Sequence, residues 1–569
     1  MKKIRIREII IGGMFTLFFA AIGIKATYIQ VFRGSWLSRK AAGQYEVSYK
    51  SSGKRGTIFD RNLREMAVSI DVESIAAHPE HVENPKKVAR SLSKILDIKR
   101  KALAKKLYSK KKFVWIKRMV TPKEAEAVKT LDIGGLDFIP EHKRFYPNKT
   151  LAAQLVGFTD IDDQGLEGLE FYYNDDLSGS AFKYKVLRDA CGRGFEAESP
   201  AGSATSGKNL VLTIDSTIQY IAEKALAETV KEFSAKSGMA VVMNPKTGAL
   251  LAMAQVPLFN PNAINNFNRK AWRNRIITDP FEPGSTMKIF SAAAAIESGS
   301  CSASSIFYCE NGAYKMGNHI IHDSHEHGWL SLQQIVKYSS NIGAVKFSAV
   351  TGPEHLFNTL RNFGFGEKTG IDCPGETAGS LAPYQRWTKV DAGTIAFGQG
   401  VSVSALQLIT AVSAIANKGV LMRPYAVQAI TDHYGRLIKS FGPKRVRRVI
   451  SEKTAGTITR IMQTVITQGG TGVNAALDGY SVCGKTGTAQ KIDENGSYSD
   501  EKFVASFVGF APVENPKIAV LVVVDEPRKE HYASAVAAPT FKTIAQKTLD
   551  YMNILPKKEA DNLMVSLRR

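Results

Sequence analysis

Cysteine is scarce in this chain, with five in 569 residues: Cys191, Cys301, Cys309, Cys373 and Cys483. That excludes a disulfide framework, and no Cys-x-x-Cys pair exists to hold zinc or to run thiol exchange. Carboxylates are few among the first 150 residues, where 14 Asp and Glu face 32 Lys and Arg; residues 151–569 are nearly balanced at 39 against 43. The net charge of +22 therefore belongs to the N-terminal part. Its densest stretch, 99–118, has ten basic residues in twenty with Leu103 and Leu107 at helical spacing, and reads as a solvated helix face. No array of stacking aromatics accompanies it, so a nucleic-acid partner is not expected. With 44% hydrophobic and 22% charged residues, the composition is globular, not disordered, collagenous or multi-span membrane.

Residues 9–24 carry no charge and follow Lys2, Lys3, Arg5 and Arg7, opposed only by Glu8. At 1.5 Å per residue the run must extend to about residue 29 to span a bilayer, with the Lys25 amine reaching the interface. Ile24-Lys25-Ala26 offers no small-x-small cleavage site, which favours an uncleaved anchor over a signal peptide. The positive-inside rule puts residues 1–8 in the cytoplasm and the chain beyond the 9–29 anchor outside, away from ATP.

Residues 40–195 alternate strand-like and helix-like patterns, and 196–209 is small, polar and aperiodic, as at a domain junction. From there, strand patterns at 210–214, 239–243, 250–255, 503–511 and 518–524 flank helical patterns at 218–233 and 538–553. Strands at both ends with helices between predict an α+β fold.

Pro283-Gly284 marks a helix start, so Ser285 lies in its first turn and Lys288, three residues on, falls on the same face. Serine is a nucleophile only when something takes its proton, and a lysine does so only if neutral, a state that desolvation and a nearby cation both favour. Ser339-Ser340-Asn341 follows within the helical pattern 332–350, and Lys485-Thr486-Gly487-Thr488 precedes the final hairpin. This trio characterises serine β-lactamases and penicillin-binding proteins. Lys-Thr-Gly also occurs at 246–248, as a hairpin turn, and at 368–370, in a Gly-rich loop. Gly479 to Thr486 satisfies the Walker A spacing, but Gly487 and polar turn material follow where a helix is required. His319, His322, His325 and His327, with Asp323 and Glu326, read as a polar hairpin before the next helix, and no metal or other cofactor is expected.

With these elements in place the sequence resembles the class B penicillin-binding proteins, the monofunctional peptidoglycan D,D-transpeptidases, over nearly its whole length. Arg55-Gly56-Thr57-Ile58-Phe59-Asp60-Arg61-Asn62, Arg144-Phe145-Tyr146-Pro147 and Gly165-Leu166-Glu167-Gly168-Leu169-Glu170 resemble motifs of the family's pedestal domain. Leu212-Thr213-Ile214-Asp215 and Gly398-Gln399-Gly400-Val401 resemble its transpeptidase domain. The segment 278–285 is most similar to the septal division enzyme, with the elongation paralogue as the alternative.

The resemblance implies a membrane-anchored, two-domain protein: an α+β pedestal over 30–205, a transpeptidase domain over 206–555 with an antiparallel sheet flanked by helices as in serine β-lactamases, and a tail at 556–569. It implies that Ser285 is acylated by a stem peptide, that Lys288 accepts its proton and that Ser339 relays a proton to the leaving D-Ala. Asn341 would bind the peptide amide, and Lys485, Thr486, Gly487 and Thr488 the terminal carboxylate. The implied partners are peptidoglycan stem peptides, β-lactams, the cell membrane, a membrane glycan polymerase and other division proteins. A carboxypeptidase or β-lactamase with water as acceptor, and a non-catalytic penicillin-binding scaffold, are the competing readings.

Overall fold

A computed structural model of the chain describes residues 2–51, 53–180, 182–188, 194–198, 206–266, 269–317, 319–493 and 495–556. Cys191, half of the expected junction at 196–209 and nearly all of the 556–569 tail lie outside them. The chain forms two compact units, one of Met1–Lys54, Ile70–Lys143 and Gly179–Ser206, the other of Arg55–Ser69, Arg144–Ser178 and Gly207–Arg569.

Among the described residues one helix is long and apolar enough to cross a membrane, Lys3–Phe32 in the first unit, and its apolar window is not buried in protein. It extends beyond the expected 9–29 at both ends, because the basic residues before it and the Tyr28–Phe32 turn after it continue the helix. Helices Pro85–Leu96 and Arg100–Leu107 bury Val88, Leu92, Leu96, Leu103 and Leu107 together and turn their lysines and arginines to solvent. The basic stretch expected as a helix face is thus helical only to Leu107; its end is the strand Val114–Val120, where Val114, Trp115 and Ile116 supply β-favouring side chains.

The second unit is built on a five-stranded antiparallel sheet. In chain order its elements are α1 (Ser216–Glu232), β1 (Ser237–Met243), β2 (Leu250–Val256), α2 (Lys288–Glu297), α3 (Leu332–Tyr338), α4 (Asn341–Thr351), α5 (Ala405–Ala416), β3 (Cys483–Ile492), β4 (Tyr498–Ala511), β5 (Ile518–Asp525) and α6 (Ala533–Tyr551). The strand order is β2-β1-β5-β4-β3, so β3 is an edge. Both faces are covered, which explains why β1 and β5 are continuous apolar runs rather than alternating ones. Val241, Leu521 and Val523 pack on the side of α2 and α5; Val242, Val520 and Val522 pack on the side of α1 and α6. Helix α5 is buried along its whole length, and α2 from Lys288 to Ala295. Lys288 therefore begins a helix with no solvent-facing side there.

Residues 55–69 and 144–178 belong by sequence to the expected 30–205 segment, yet they pack with this second unit. They are joined to it by polar contacts: the Ser216 N–H and hydroxyl donate to Asp60 Oδ2 at 3.1 and 2.7 Å, the Asn62 amide donates to Asp215 Oδ2 at 2.9 Å, and the Ala152 N–H donates to Glu223 Oε1 at 2.8 Å. The two segments are tied to each other by a buried ionic cluster. The Arg55 Nε donates to Glu170 Oε2 at 2.6 Å, and the Arg144 Nε donates to Glu170 Oε1 at 2.6 Å. The remaining Arg55 donors reach the carbonyls of Glu170 and Asp163 and the side chain of Asn174. All three ions are buried, so each must be held by the others.

Candidate active site

Pro283 and Gly284 turn the chain into a short 3₁₀ segment, Gly284–Met287, that runs straight into α2. This puts Ser285 one turn ahead of Lys288, as the sequence spacing predicts. The turn is fixed by close backbone approach. Gly284 adopts φ +54°, and a Cβ on Gly398 would lie 2.1 Å from the Gly284 carbonyl oxygen. On the other side β3 lies so near that a Cβ on Gly487 would stand 2.8 Å from the Pro283 carbonyl oxygen. Glycine at 398 and 487 is thus a condition for bringing the serine turn against the strand.

The segment 332–350, expected as one helix, is two. Helix α3 ends at Tyr338, Ser339 adopts the left-handed conformation with φ 66°, and α4 starts at Asn341. The break lets Ser339 and Asn341 both face Lys288, which consecutive helical positions so close in sequence would not allow. It is held by Asp323. That carboxylate accepts the Ser340 hydroxyl at 2.5 Å and the backbone N–H groups of Asn341 and Ile342 at 2.5 and 3.0 Å. The Ser340 hydroxyl in turn accepts the Gly343 N–H at 2.9 Å. The orphan donors of the α4 N-terminus are satisfied by a side chain from a different hairpin.

Lys288 Nζ is fully buried and lies 2.9 Å from Ser285 Oγ, 2.6 Å from the Ser339 carbonyl oxygen, 2.7 Å from Asn341 Oδ1 and 3.2 Å from Ser339 Oγ. Two of these neighbours, the carbonyl and the amide oxygen, only accept. A neutral amine that donates its two hydrogens to them has its lone pair left for the Ser285 hydroxyl. Burial brings the Lys288 ammonium down to about 7, against the opposing pull of the Asp323 charge. Lys485, also fully buried, donates to Ser339 Oγ at 3.0 Å and to the carbonyl and hydroxyl oxygens of Thr486 at 3.1 Å. Burial, with the charge of Lys288 beside it, pushes Lys485 well below the ordinary lysine range. Ser339 Oγ therefore bridges the two amines.

These groups open on a cleft of about 770 Å³ lined by Ser285, Ser339, Asn341, Thr486 and Thr488. The other expected site residues, Lys288, Lys485 and Gly487, are buried behind these lining residues. The arrangement can generate a serine nucleophile, pass a proton across Ser339 and hold an anion on the Lys485 strand. Sequence reasoning missed Asp323, which stood inside the histidine-rich stretch and showed no spacing to Ser340 or Asn341. His325, His327, Gln399, Thr471, Phe503, His531 and Tyr532, which line the cleft, were likewise not singled out as site residues. Lys246 and Lys368, of the other two Lys-Thr-Gly copies, are not among its lining residues.

Comparison with known proteins matches the penicillin-binding protein transpeptidase domain to residues 238–546 and the penicillin-binding protein dimerisation domain to residues 50–212. The chain is 36% identical over 547 residues to a Neisseria meningitidis protein named "Probable peptidoglycan D,D-transpeptidase PenA", covering 95% of this chain and 92% of the relative. It is 32% identical to peptidoglycan D,D-transpeptidase FtsI of Escherichia coli, covering 97% and 92%. It is 33% identical to stage V sporulation protein D of Bacillus subtilis, covering 95% and 85%. Penicillin binding protein 3 of Mycobacterium tuberculosis, solved with aztreonam, superposes with a TM-score of 0.70 at 29% identity, covering 89% of this chain and 99% of that one.

Proposed function

The chain belongs to the class B penicillin-binding proteins and is a peptidoglycan D,D-transpeptidase; on that premise we propose that it works through a Ser285 acyl-enzyme in septal wall synthesis and is inhibited by β-lactams. The observation that carries the mechanism is the buried Lys288 amine, 2.9 Å from Ser285 Oγ and held by two pure acceptors. The serine oxygen attacks the carbonyl of the penultimate D-Ala while Lys288 takes its proton. The backbone N–H groups of Ser285 and Thr488 hold the oxyanion, and Lys485, Thr486 and Thr488 hold the terminal carboxylate. Collapse breaks the peptide bond; the proton crosses Ser339 to the departing D-Ala nitrogen, leaving a serine ester. An amine of a neighbouring stem peptide then attacks the ester, forming the cross-link and returning the serine proton.

A β-lactam presents a strained amide to the same serine and leaves an ester. Ser340 stands where class A β-lactamases have the Asp of Ser-Asp-Asn, which argues against that branch. The septal assignment draws on the likeness to FtsI along 97% of this chain. The apolar helix Lys3–Phe32 supplies the anchor, and the basic residues before it orient the N-terminus to the cytoplasm. A membrane glycan polymerase and other division proteins are the partners this reading requires. Fluorescent penicillin should label the wild type covalently and leave Ser285→Ala unlabelled; equal labelling of both would overturn the serine assignment. Product analysis with stem peptides separates transfer from hydrolysis, since tetrapeptide without cross-linked dimer would make the protein a carboxypeptidase.

A further inference from the structure

Between residues 86 and 112 the chain carries twelve Lys and Arg and a single carboxylate, Asp97. All twelve are exposed, because helices Pro85–Leu96 and Arg100–Leu107 turn their apolar positions into the core they share. Elsewhere in the same unit cations are paired: Lys117 with Glu124, Arg118 with Glu141 and Lys129 with Glu73, each at 2.7 Å. None of the twelve is in an ion pair among the described residues.

The arrangement works against the helices that carry it. Arg90 and Lys94, and again Lys101 and Lys105, are like charges four residues apart on one helix. Neither helix has an acid in its first turn or a side chain capping it, and Arg100 and Lys101 open the second one, where the macrodipole favours anions. Helix Pro122–Lys129, packed on the same core, is built the other way: Thr121 and Glu124 close a capping box and Lys129 stands in the last turn. A positive field left uncompensated on one face is offset by a negative surface set against it.

Two observations say which surface. The same unit contains the apolar helix Lys3–Phe32. At its C-terminal flank Lys25 and Arg33 lie over the Tyr28 ring, and Arg33 and Lys40 over the Trp36 ring, an aromatic and cationic belt of the kind that sits among lipid headgroups. A bilayer is therefore tethered to the basic face in every copy, at high effective concentration. The second observation is the kind of cation. Ten of the twelve are lysines, hydrated point charges without the planar fork with which arginine grips one anion. Tyr108, 64% exposed, stands among them. Diffuse charge with an amphipathic ring fits a fluid array of headgroups rather than one bound anion.

We propose that the 86–112 face docks on anionic phospholipid headgroups of the bilayer that holds the anchor. The anchor ties the chain to the membrane at one point; this second contact sets the orientation of the first unit against the membrane plane. The inference goes beyond the transpeptidase reading and depends on the anchor, not on the cleft.

The test places the full-length protein in nanodiscs of phosphatidylcholine alone, or of phosphatidylcholine and phosphatidylglycerol in equal parts, and maps lysine acetylation by mass spectrometry. Each cation near an anionic surface strengthens docking about fivefold, so acetylation of Lys101, Lys105, Lys110, Lys111 and Lys112 should fall by at least that factor in the anionic discs. High salt should restore it, and the exposed Lys389 of the second unit should be acetylated alike in both discs. Equal acetylation of the basic face in the two discs, or a fall shared by Lys389, would overturn the proposal. So would protection that appears only when soluble glycan strands are added to the neutral discs, which would make the face a site for wall polymer. Lys101→Glu combined with Lys105→Glu, both at exposed positions, should abolish the protection of Lys110, Lys111 and Lys112 while unfolding stays cooperative; protection that persists would contradict a contact made by charge. A chain that does not enter the discs refutes the anchor and this docking with it, and leaves the cleft untouched. The wild-type lipid and salt series decides the matter even if the double variant fails to fold.

Discussion

Two sets of buried cations lie in the second unit, and they are treated in opposite ways. Around Glu170, two guanidiniums share one carboxylate; Arg55 places its other donors on carbonyl, amide and hydroxyl oxygens, while Arg144 Nη1 donates to the Gly56 carbonyl and its Nη2 is left without a partner among the described residues. Burial alone would lower Arg144, but the Glu170 charge outweighs it and Arg144 is held above its ordinary value. In the cleft, Lys288 and Lys485 are as deeply buried, have no carboxylate within ion-pair distance among the described residues, and are both pushed down. A carboxylate in contact keeps a buried cation charged and makes it scaffold; withholding one leaves an amine able to take a proton.

The largest effect separating the two sets is chemical. Ser285→Ala should abolish covalent labelling, and Lys288→Ala should slow acylation by roughly 10²–10⁴-fold while thermal unfolding stays cooperative. Stopped-flow acylation by a reporter β-lactam measures this, and a Lys288→Ala enzyme acylated at the wild-type rate would remove the base from the mechanism.

Glu170→Gln should do the reverse. It strands two buried guanidiniums, with an expected loss of about 3–5 kcal/mol of stability. Penicillin labelling per folded molecule should change little, because Glu170 is not among the residues that line the cleft. Denaturant unfolding monitored beside labelling reads both quantities; stability within 1 kcal/mol of wild type would mean that this cluster is not scaffold.

A smaller effect has its own sign. Lys288 titrates at about 7 when folded, against 10.5 when free, so between those values the unfolded chain binds the extra proton and stability rises with pH. Lys288→Met removes that rise, and because it replaces an unpaired buried amine it should be neutral or stabilising near pH 7. Unfolding free energies at several pH values between 7 and 10 test it, and a variant that keeps the wild-type slope would contradict the lowered lysine.

Much of the chemistry was legible in the sequence because each motif is local: Ser285 and Lys288 share a helical turn, Ser339 and Asn341 are two residues apart, and 485–488 is one stretch of strand. The placement of these motifs against one another was not. The apolar periodicity of 332–350 continues across Ser339, and nothing in Tyr338-Ser339-Ser340-Asn341 announces a left-handed residue without glycine. The break exists because Asp323 caps α4 from a separate hairpin, a tertiary contact that overrides local helical propensity. The same holds for Asp60 with Ser216 and Glu223 with the Ala152 N–H, contacts across 156 and 71 residues that join 55–69 and 144–178 to the second unit. Short motifs encode what a site is made of, and long-range contacts decide how it is held.

Asp323 offers the finest test, because it joins the two modes in one residue: it touches no lysine amine, yet its charge opposes the effect of burial on Lys288. Acylation requires neutral Lys288, so its rate should rise with pH through about 7 in the wild type and level off above. Asp323→Asn keeps an oxygen for the Asn341 and Ile342 N–H groups but removes the charge, so Lys288 should lose its proton more readily and the rising limb should move to lower pH. A role confined to capping α4 would lower the plateau and leave the limb where it was. The acylation rate constant followed from pH 5 to 9 tells these apart: a limb that stays fixed, or moves upward, would show that the charge of Asp323 does not reach the base.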